Sequence, residues 1–156
     1  MKKITIFTFS HSLFLIIGFA VGIYLLPILT APSAPDKSYI IKNSNQAIYK
    51  TKFNKNLNGS DLLHNGEGDV FLNKNQISFI GKITPGPDYR LYLTKKFVEN
   101  EKDFLAIKMK SLYVGDVKTF KNFSLMSKVE LPLEKYNSII IWCESFNEFI
   151  TSAKYK

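Results

Sequence analysis

The chain has 156 residues, a formal net charge of +8 and a hydrophobic share of 46%, which suits one domain plus a short accessory segment. Its single cysteine excludes an intrachain disulfide, so an exported domain of this kind must be held together by its core. The lysines are scattered along the chain, and the lack of an arginine-rich or aromatic-basic motif excludes a nucleic-acid module and leaves a solvated basic surface.

The chain opens on Met1-Lys2-Lys3, and Leu13 to Leu29 follows without a charge. Flanked by Ser10-His11-Ser12 and Thr30-Ala31, this run reaches the roughly 20 residues a spanning helix needs and exceeds the core of a signal peptide. Ala31 and Ala34 are each followed by proline, a poor context for cleavage, so an uncleaved signal anchor is expected. Lys2 and Lys3 precede the run and Asp36 is the first charge after it. This places the N-terminus in the cytoplasm and the remainder in the periplasm or cell exterior. His11 lies at the edge of the run, where the interface solvates it. Gly18 and Gly22 form a small-xxx-small pair that lets helices approach.

Ala31-Pro32-Ser33-Ala34-Pro35 cannot continue a helix and reads as a stiff exit from the membrane. Residues 38–52 are rich in lysine and asparagine, with apolar positions suited to an edge strand or a spacer. The expected organisation is therefore an anchor at 1–31, a linker at 32–52 and a domain at 53–156.

From Phe53 onward, short apolar runs alternate with Asn, Gly and Pro, the texture of an all-β domain. Strands are expected at 69–72, 76–83, 89–94, 105–110, 112–119, 125–131, 138–143 and 148–153. Asn73-Lys74-Asn75 suits a hairpin connector, and Pro85-Gly86-Pro87-Asp88 must turn. Residues 95–103 read as a helical turn or loop, and Met109 and Met126, in strand-like segments, are expected in the core. The fold class is mainly β: a single antiparallel β-sandwich domain preceded by one N-terminal transmembrane helix.

Asn137 to Phe146, NSIIIWCESF, holds the only tryptophan, Trp142, and the only cysteine, Cys143. A β-branched run apolar on both faces of the pleat suits a strand in the middle of a sandwich. Ile139, Ile141 and Cys143 then face one side, and Ile140 and Trp142 the other. On the residues alone Cys143 is either core filling or a thiol aimed into a pocket. Trp142, Phe146 and Phe149 either fill the core or wall an apolar cofactor pocket. Asp61, Glu67, Asp69 and Asp88 lack calcium-loop spacing and read as turn-capping carboxylates.

Four segments occur in order: LLHNGEGDVFL at 62–72, GPDYRLYLT at 86–94, LPLEKYNSIIIWCESF at 131–146 and FITSAKY at 149–155. Together they resemble the electron-transfer DM domain family, DM thirteen, over about Phe53 to Lys156. The resemblance implies a mostly β domain with a role in electron transfer, its Trp-Cys cysteine acting in redox chemistry or holding a cofactor. The matching residue is Cys143; His64 matches the histidine before the glycines of the first motif, and Gly86, Pro87 and Asp88 match the Gly-Pro-Asp turn. The chain departs from the family at 119–127, where Lys121-Asn122-Phe123-Ser124-Leu125 replaces a Gly-Asn-Gln-like turn that would shape a pocket rim.

Haem and copper are the cofactors that a cysteine thiolate suits, with Cys143 as ligand and His64 as a second donor. Two donors are fewer than a closed metal site requires. The structural alternative for His64 is a ring bonded to the backbone of a Gly66-Glu67-Gly68 turn. A Cys-His hydrolase ranks last for want of a nucleophile motif. The functional expectation is a membrane-tethered redox or electron-transfer domain, more a redox or binding domain than an independent enzyme, with a redox partner protein in the envelope. The competing expectation is an envelope adhesion or scaffold module in which Cys143 is packing.

Overall fold

The computed structural model describes residues 2–156. The helix α1 (Lys2–Thr30) holds the apolar run, and its most apolar stretch has a mean hydropathy of 2.5. It is long and apolar enough to cross a bilayer. Pro27 sits in its final turn, and Pro32 and Pro35 keep the chain out of helix until α2 (Lys37–Ser44).

Eight strands follow: β1 (Tyr49–Phe53), β2 (Gly66–Leu72), β3 (Gln76–Ile83), β4 (Tyr89–Thr94), β5 (Leu112–Val117), β6 (Phe123–Met126), β7 (Ser138–Cys143) and β8 (Glu148–Lys154). They form two four-stranded sheets, β1-β2-β3-β6 and β5-β4-β7-β8, antiparallel throughout. The expected antiparallel sandwich is therefore present. Residues 38–52, expected as an edge strand or spacer, form most of α2 and then of the edge strand β1. Ile40 of α2 is fully buried, and Asn122 donates to the Pro35 carbonyl at 3.4 Å, which ties this segment to the sandwich.

One core lies between the sheets. It takes Phe53, Val70, Leu72, Ile77 and Phe79 from the first, and Leu91, Leu93, Ile139, Ile141, Cys143 and Ile150 from the second. Phe79 stacks on Phe123 with centroids 5.1 Å apart and tilts against Phe53 at 5.5 Å, in the range of favourable aromatic pairs. Its ring also lies over Gly68 and Gly81, which are paired across β2 and β3. Gly68 has φ +148°, and a Cβ there would come within 2.3 Å of the Ile80 carbonyl, so only glycine fits.

A second apolar cluster covers the outer face of the β5-β4-β7-β8 sheet: Tyr92, Val98, Phe104, Ile140, Trp142 and Phe149. Phe104 comes from α3 (Glu101–Ile107), so β7 is buried on both faces along its whole length. The expected alternation holds, with Ile139, Ile141 and Cys143 inward and Ile140 and Trp142 under α3.

The strand expected at 105–110 is instead the end of α3 followed by a 3₁₀ turn at Lys108–Lys110. The reason is the start of the segment. Asn100 Oδ1 accepts from the Asp103 N–H at 2.9 Å, an N-cap of about 1 kcal/mol, and Glu101 and Asp103 put negative charge in the first turn, where the helix dipole favours it. Met109 and Met126 are 96% and 63% exposed, so neither belongs to the core. The strand expected at 125–131 is shifted to Phe123–Met126 by pairing with β3.

Candidate functional site

Three loops meet at one end of the sandwich: 61–65 before β2, 84–88 between β3 and β4, and 144–147 between β7 and β8. Between them lies an apolar cavity of about 560 Å³. Leu63, His64, Pro85, Gly86, Pro87, Tyr89, Cys143 and Phe146 line it, and Ala20, Val21, Ile23, Tyr24 and Leu25 of α1 form a further wall. The fold thus brings Cys143 and His64, 79 positions apart in the chain, to one cavity.

Cys143 ends β7 and is 2% exposed. Burial pushes its thiol above the ordinary range, because the charged form loses its hydration. Backbone N–H groups of Phe146, Asp88 and Ser145 act in the opposite sense and favour the thiolate, while the Asp88 charge adds to the rise. The sulfur is therefore a buried thiol whose proton is held more tightly than usual.

His64 is held by Asp61. The Asp61 Oδ1 accepts from the Leu63 and His64 backbone N–H groups at 2.6 and 2.7 Å, and Oδ2 lies 3.0 Å from the ring Nδ1. The hydrogen bond from His64, followed by those backbone bonds, holds the Asp61 carboxyl below its usual range despite some desolvation. With Nδ1 engaged, Nε2 is the nitrogen left to meet a ligand, the arrangement by which a carboxylate orients a ligating histidine. The alternative expected for the ring, a bond to a turn at 66–68, is not what forms: Gly66 to Leu72 is strand. Asp61 caps its turn as expected, whereas Glu67 and Asp69 are exposed strand residues.

The loops are pinned to one another. Asn65 and Thr84 exchange backbone and hydroxyl hydrogen bonds of 3.0 to 3.1 Å. The Asp88 carbonyl accepts from the Glu144 N–H at 2.9 Å, and its Oδ2 accepts from the Ser145 hydroxyl at 3.2 Å. The Gly-Pro-Asp turn thus carries the β4–β7 ladder one residue past Cys143. Asn147, with φ 53°, closes the β7–β8 turn in the left-handed region that asparagine tolerates.

Tyr89 is a further residue of the site, not among those expected from the sequence. It pairs with Cys143 across β4 and β7, is buried and lines the cavity. A Cβ on Gly86 would lie 2.4 Å from its ring, so the glycine of the turn makes room for the tyrosine. Burial drives its phenol far up, a Thr84 hydrogen bond partly opposes this, and Cys143 and Tyr24 add to the rise. The signal was available: Tyr89 follows the Gly-Pro-Asp turn directly and is in phase with inward-facing Leu91 and Leu93.

Of the three late aromatics, Trp142 and Phe149 are fully buried beneath α3, and Phe146 is 51% exposed at the cavity wall. The divergent segment at 121–125 does not line this cavity. Beside Trp142, on the outer face, the Glu144 carboxylate accepts from Lys108 Nζ at 2.6 Å and from the Tyr92 phenol. Burial alone would raise Glu144, but Lys108 and Tyr92 outweigh it and hold the carboxyl below its usual range.

Among the described residues no group of three or more His, Cys, Asp or Glu side chains gathers as a metal site. No curated protein and no solved structure matches the chain. The model of one family, electron transfer DM13, matches residues 56–155, the stretch that contains all three cavity loops, and by that match the chain belongs to the electron transfer DM13 family.

Proposed function

We propose that the protein is a membrane-tethered, extracytoplasmic electron-transfer domain in which Cys143 is the redox-active or cofactor-ligating group and His64 is its partner. The observation that carries this reading is the convergence of a buried sulfur and a carboxylate-oriented imidazole on one apolar cavity. Burial of this kind tunes the potential of a sulfur-ligated centre. The division into anchor, linker and domain goes with it: α1 spans the bilayer with its lysines in the cytoplasm, and the sandwich faces the envelope, where its electron donor or acceptor resides.

Between the two candidate cofactors the donor set discriminates. A thiolate-bound copper site takes two histidines and a cysteine, and His64 is the only histidine outside α1, so copper does not fit. Haem brings its own equatorial nitrogens and needs only axial ligands. An apolar cavity offering Cys143 or His64 suits that need. When bound, haem would supply a one-electron iron couple; the chain would supply the ligand and apolar walls.

The second reading, a scaffold with a packing cysteine, draws on the 2% exposure of Cys143. The visible absorption spectrum of the full chain, produced with haem supply and recorded before and after chemical reduction, separates the two. A redox-sensitive band that is lost in Cys143→Ala supports ligation. A featureless spectrum from folded protein removes haem. In that case, failure of Cys143→Ser to alter electron exchange with a soluble redox mediator leaves the scaffold reading.

A further inference from the structure

We propose that the loops at the cavity mouth dock into the outer leaflet of the bilayer, giving the domain a lipid contact beyond its helical anchor; this rests on α1 spanning the membrane. The 29-residue helix is about 43 Å long and so overhangs a hydrocarbon core of about 30 Å by some 6 Å at each end. Ala20 to Leu25 lie five to ten residues before its end at Thr30, roughly 8–15 Å along the axis. They therefore sit about 2–9 Å below the outer hydrocarbon boundary. Those same residues form a wall of the cavity opposite Leu63 and Phe146, so loop tips that touch them reach the lipid interface and the outermost hydrocarbon.

The side chains there suit that place. Leu62, Leu63 and Phe146 are 90%, 59% and 51% exposed, large apolar groups presented by two loops that are pinned and not buried. Amphipathic surfaces of this kind enter the interface by about 5–10 Å. A second, independent feature is charge. Lys82 and Lys121 border the cleft beside Ile28, Ala31 and Pro32 where α1 ends, and Lys118 borders the neighbouring cleft at Pro27 and Thr30. These three lysines are exposed and have no carboxylate partner among the described residues. At the level of the helix exit they meet lipid phosphates, to which an anionic surface attracts them. Of the nearby carboxylates, Asp61 is engaged by His64, Asp88 and Asp116 lie beside Arg90, and Glu67 stands opposite Lys82 in the β2–β3 register.

The test uses the full chain in vesicles of phosphatidylcholine and phosphatidylglycerol whose acyl chains are brominated in both leaflets, with unbrominated vesicles as reference. Trp142 is fully buried and supplies a constant background. Leu15→Trp reports the anchor, Leu62→Trp and Phe146→Trp each report the rim, and Tyr113→Trp reports the outer sheet face. The added emission of the anchor and rim variants is expected to fall about twofold or more, as for interfacial insertion, while Tyr113→Trp and the parent are unchanged. Quenching of Leu15→Trp without either rim variant overturns the docking and leaves the anchor standing. No quenching at any position overturns both.

Discussion

Tyr89 and Cys143 are direct partners across the β4–β7 ladder, and both turn inward onto the cavity at the end of the sandwich. The phenol is the large polar neighbour of the sulfur, and its ring lies against Gly86. A side chain at residue 86 therefore acts on the thiol through Tyr89. Gly86→Ala is expected to displace the ring and to cost about 1–3 kcal/mol by overpacking. Tyr89→Phe keeps the packing and costs less than about 1.5 kcal/mol. Denaturant titration of both variants, alongside the alkylation rate of Cys143, checks the ordering: Gly86→Ala should raise thiol accessibility more than Tyr89→Phe does.

Native Cys143 should react slowly with iodoacetamide at neutral pH, because burial raises the thiol above its ordinary value and the thiolate is the nucleophile. The rate should climb only above the ordinary thiol range of about 8.5. The sign for stability follows. A raised native value means the folded state holds its proton when the unfolded chain has lost it, so this contribution is intact below the ordinary thiol range and is lost as pH rises through the native value. A native rate equal to that of urea-unfolded protein at neutral pH would contradict the burial.

Cys143→Ser should cost about 1–3 kcal/mol, since a hydroxyl replaces an apolar thiol in a dry place. Loss of electron transfer far beyond what the unfolded fraction explains would mark a chemical role for the sulfur, measured as mediator-linked reduction alongside the unfolding curve.

Glu144→Gln leaves Lys108, which lies 5.4 Å from the Trp142 ring centre, without its carboxylate, and should cost about 1.5–3 kcal/mol. The Glu144 carboxyl is held low by Lys108 and Tyr92 against the effect of burial. Its stabilisation is therefore present above the ordinary carboxylate range and is lost as pH falls through the depressed native value. Thermal melts of parent and Glu144→Gln should converge at acid pH.

At the alkaline end, burial and then Glu144 push the Tyr92 phenol up to about 12. The unfolded chain ionises near 10, so the stability this group contributes is intact below that value and is lost as pH rises toward 12. Tyrosinate absorbance of the folded protein should lag behind that of the unfolded chain, and Tyr92→Phe should shorten the lag.

Much of this was legible because local pattern and burial agree. The period-two placement of Ile139, Ile141 and Cys143 against Ile140 and Trp142 required only that the segment be a strand with both faces covered, and the bounds of β3, β4 and β7 follow from turn residues at their ends. The segment at 105–110 is ambiguous in the sequence because its apolar residues suit either period. What decided it was the cap that Asn100 makes with Asp103 and the fit of Phe104 against Tyr92 and Trp142. The exposure of Met109 has the same origin, since it follows a helix that spends Phe104 on the core.

By itself, the sequence determined a long apolar helix, an antiparallel β domain and the face onto which Cys143 points, since these depend on period, turn chemistry and hydrophobic run length. Tertiary structure alone decided that His64, Tyr89 and Cys143 share a cavity, that Asp61 orients the imidazole and that Gly86 makes room for a phenol. Those are relations between residues far apart in the chain. Loop closure and strand register set them, and no local preference encodes the distance between two loops until the sheets have packed.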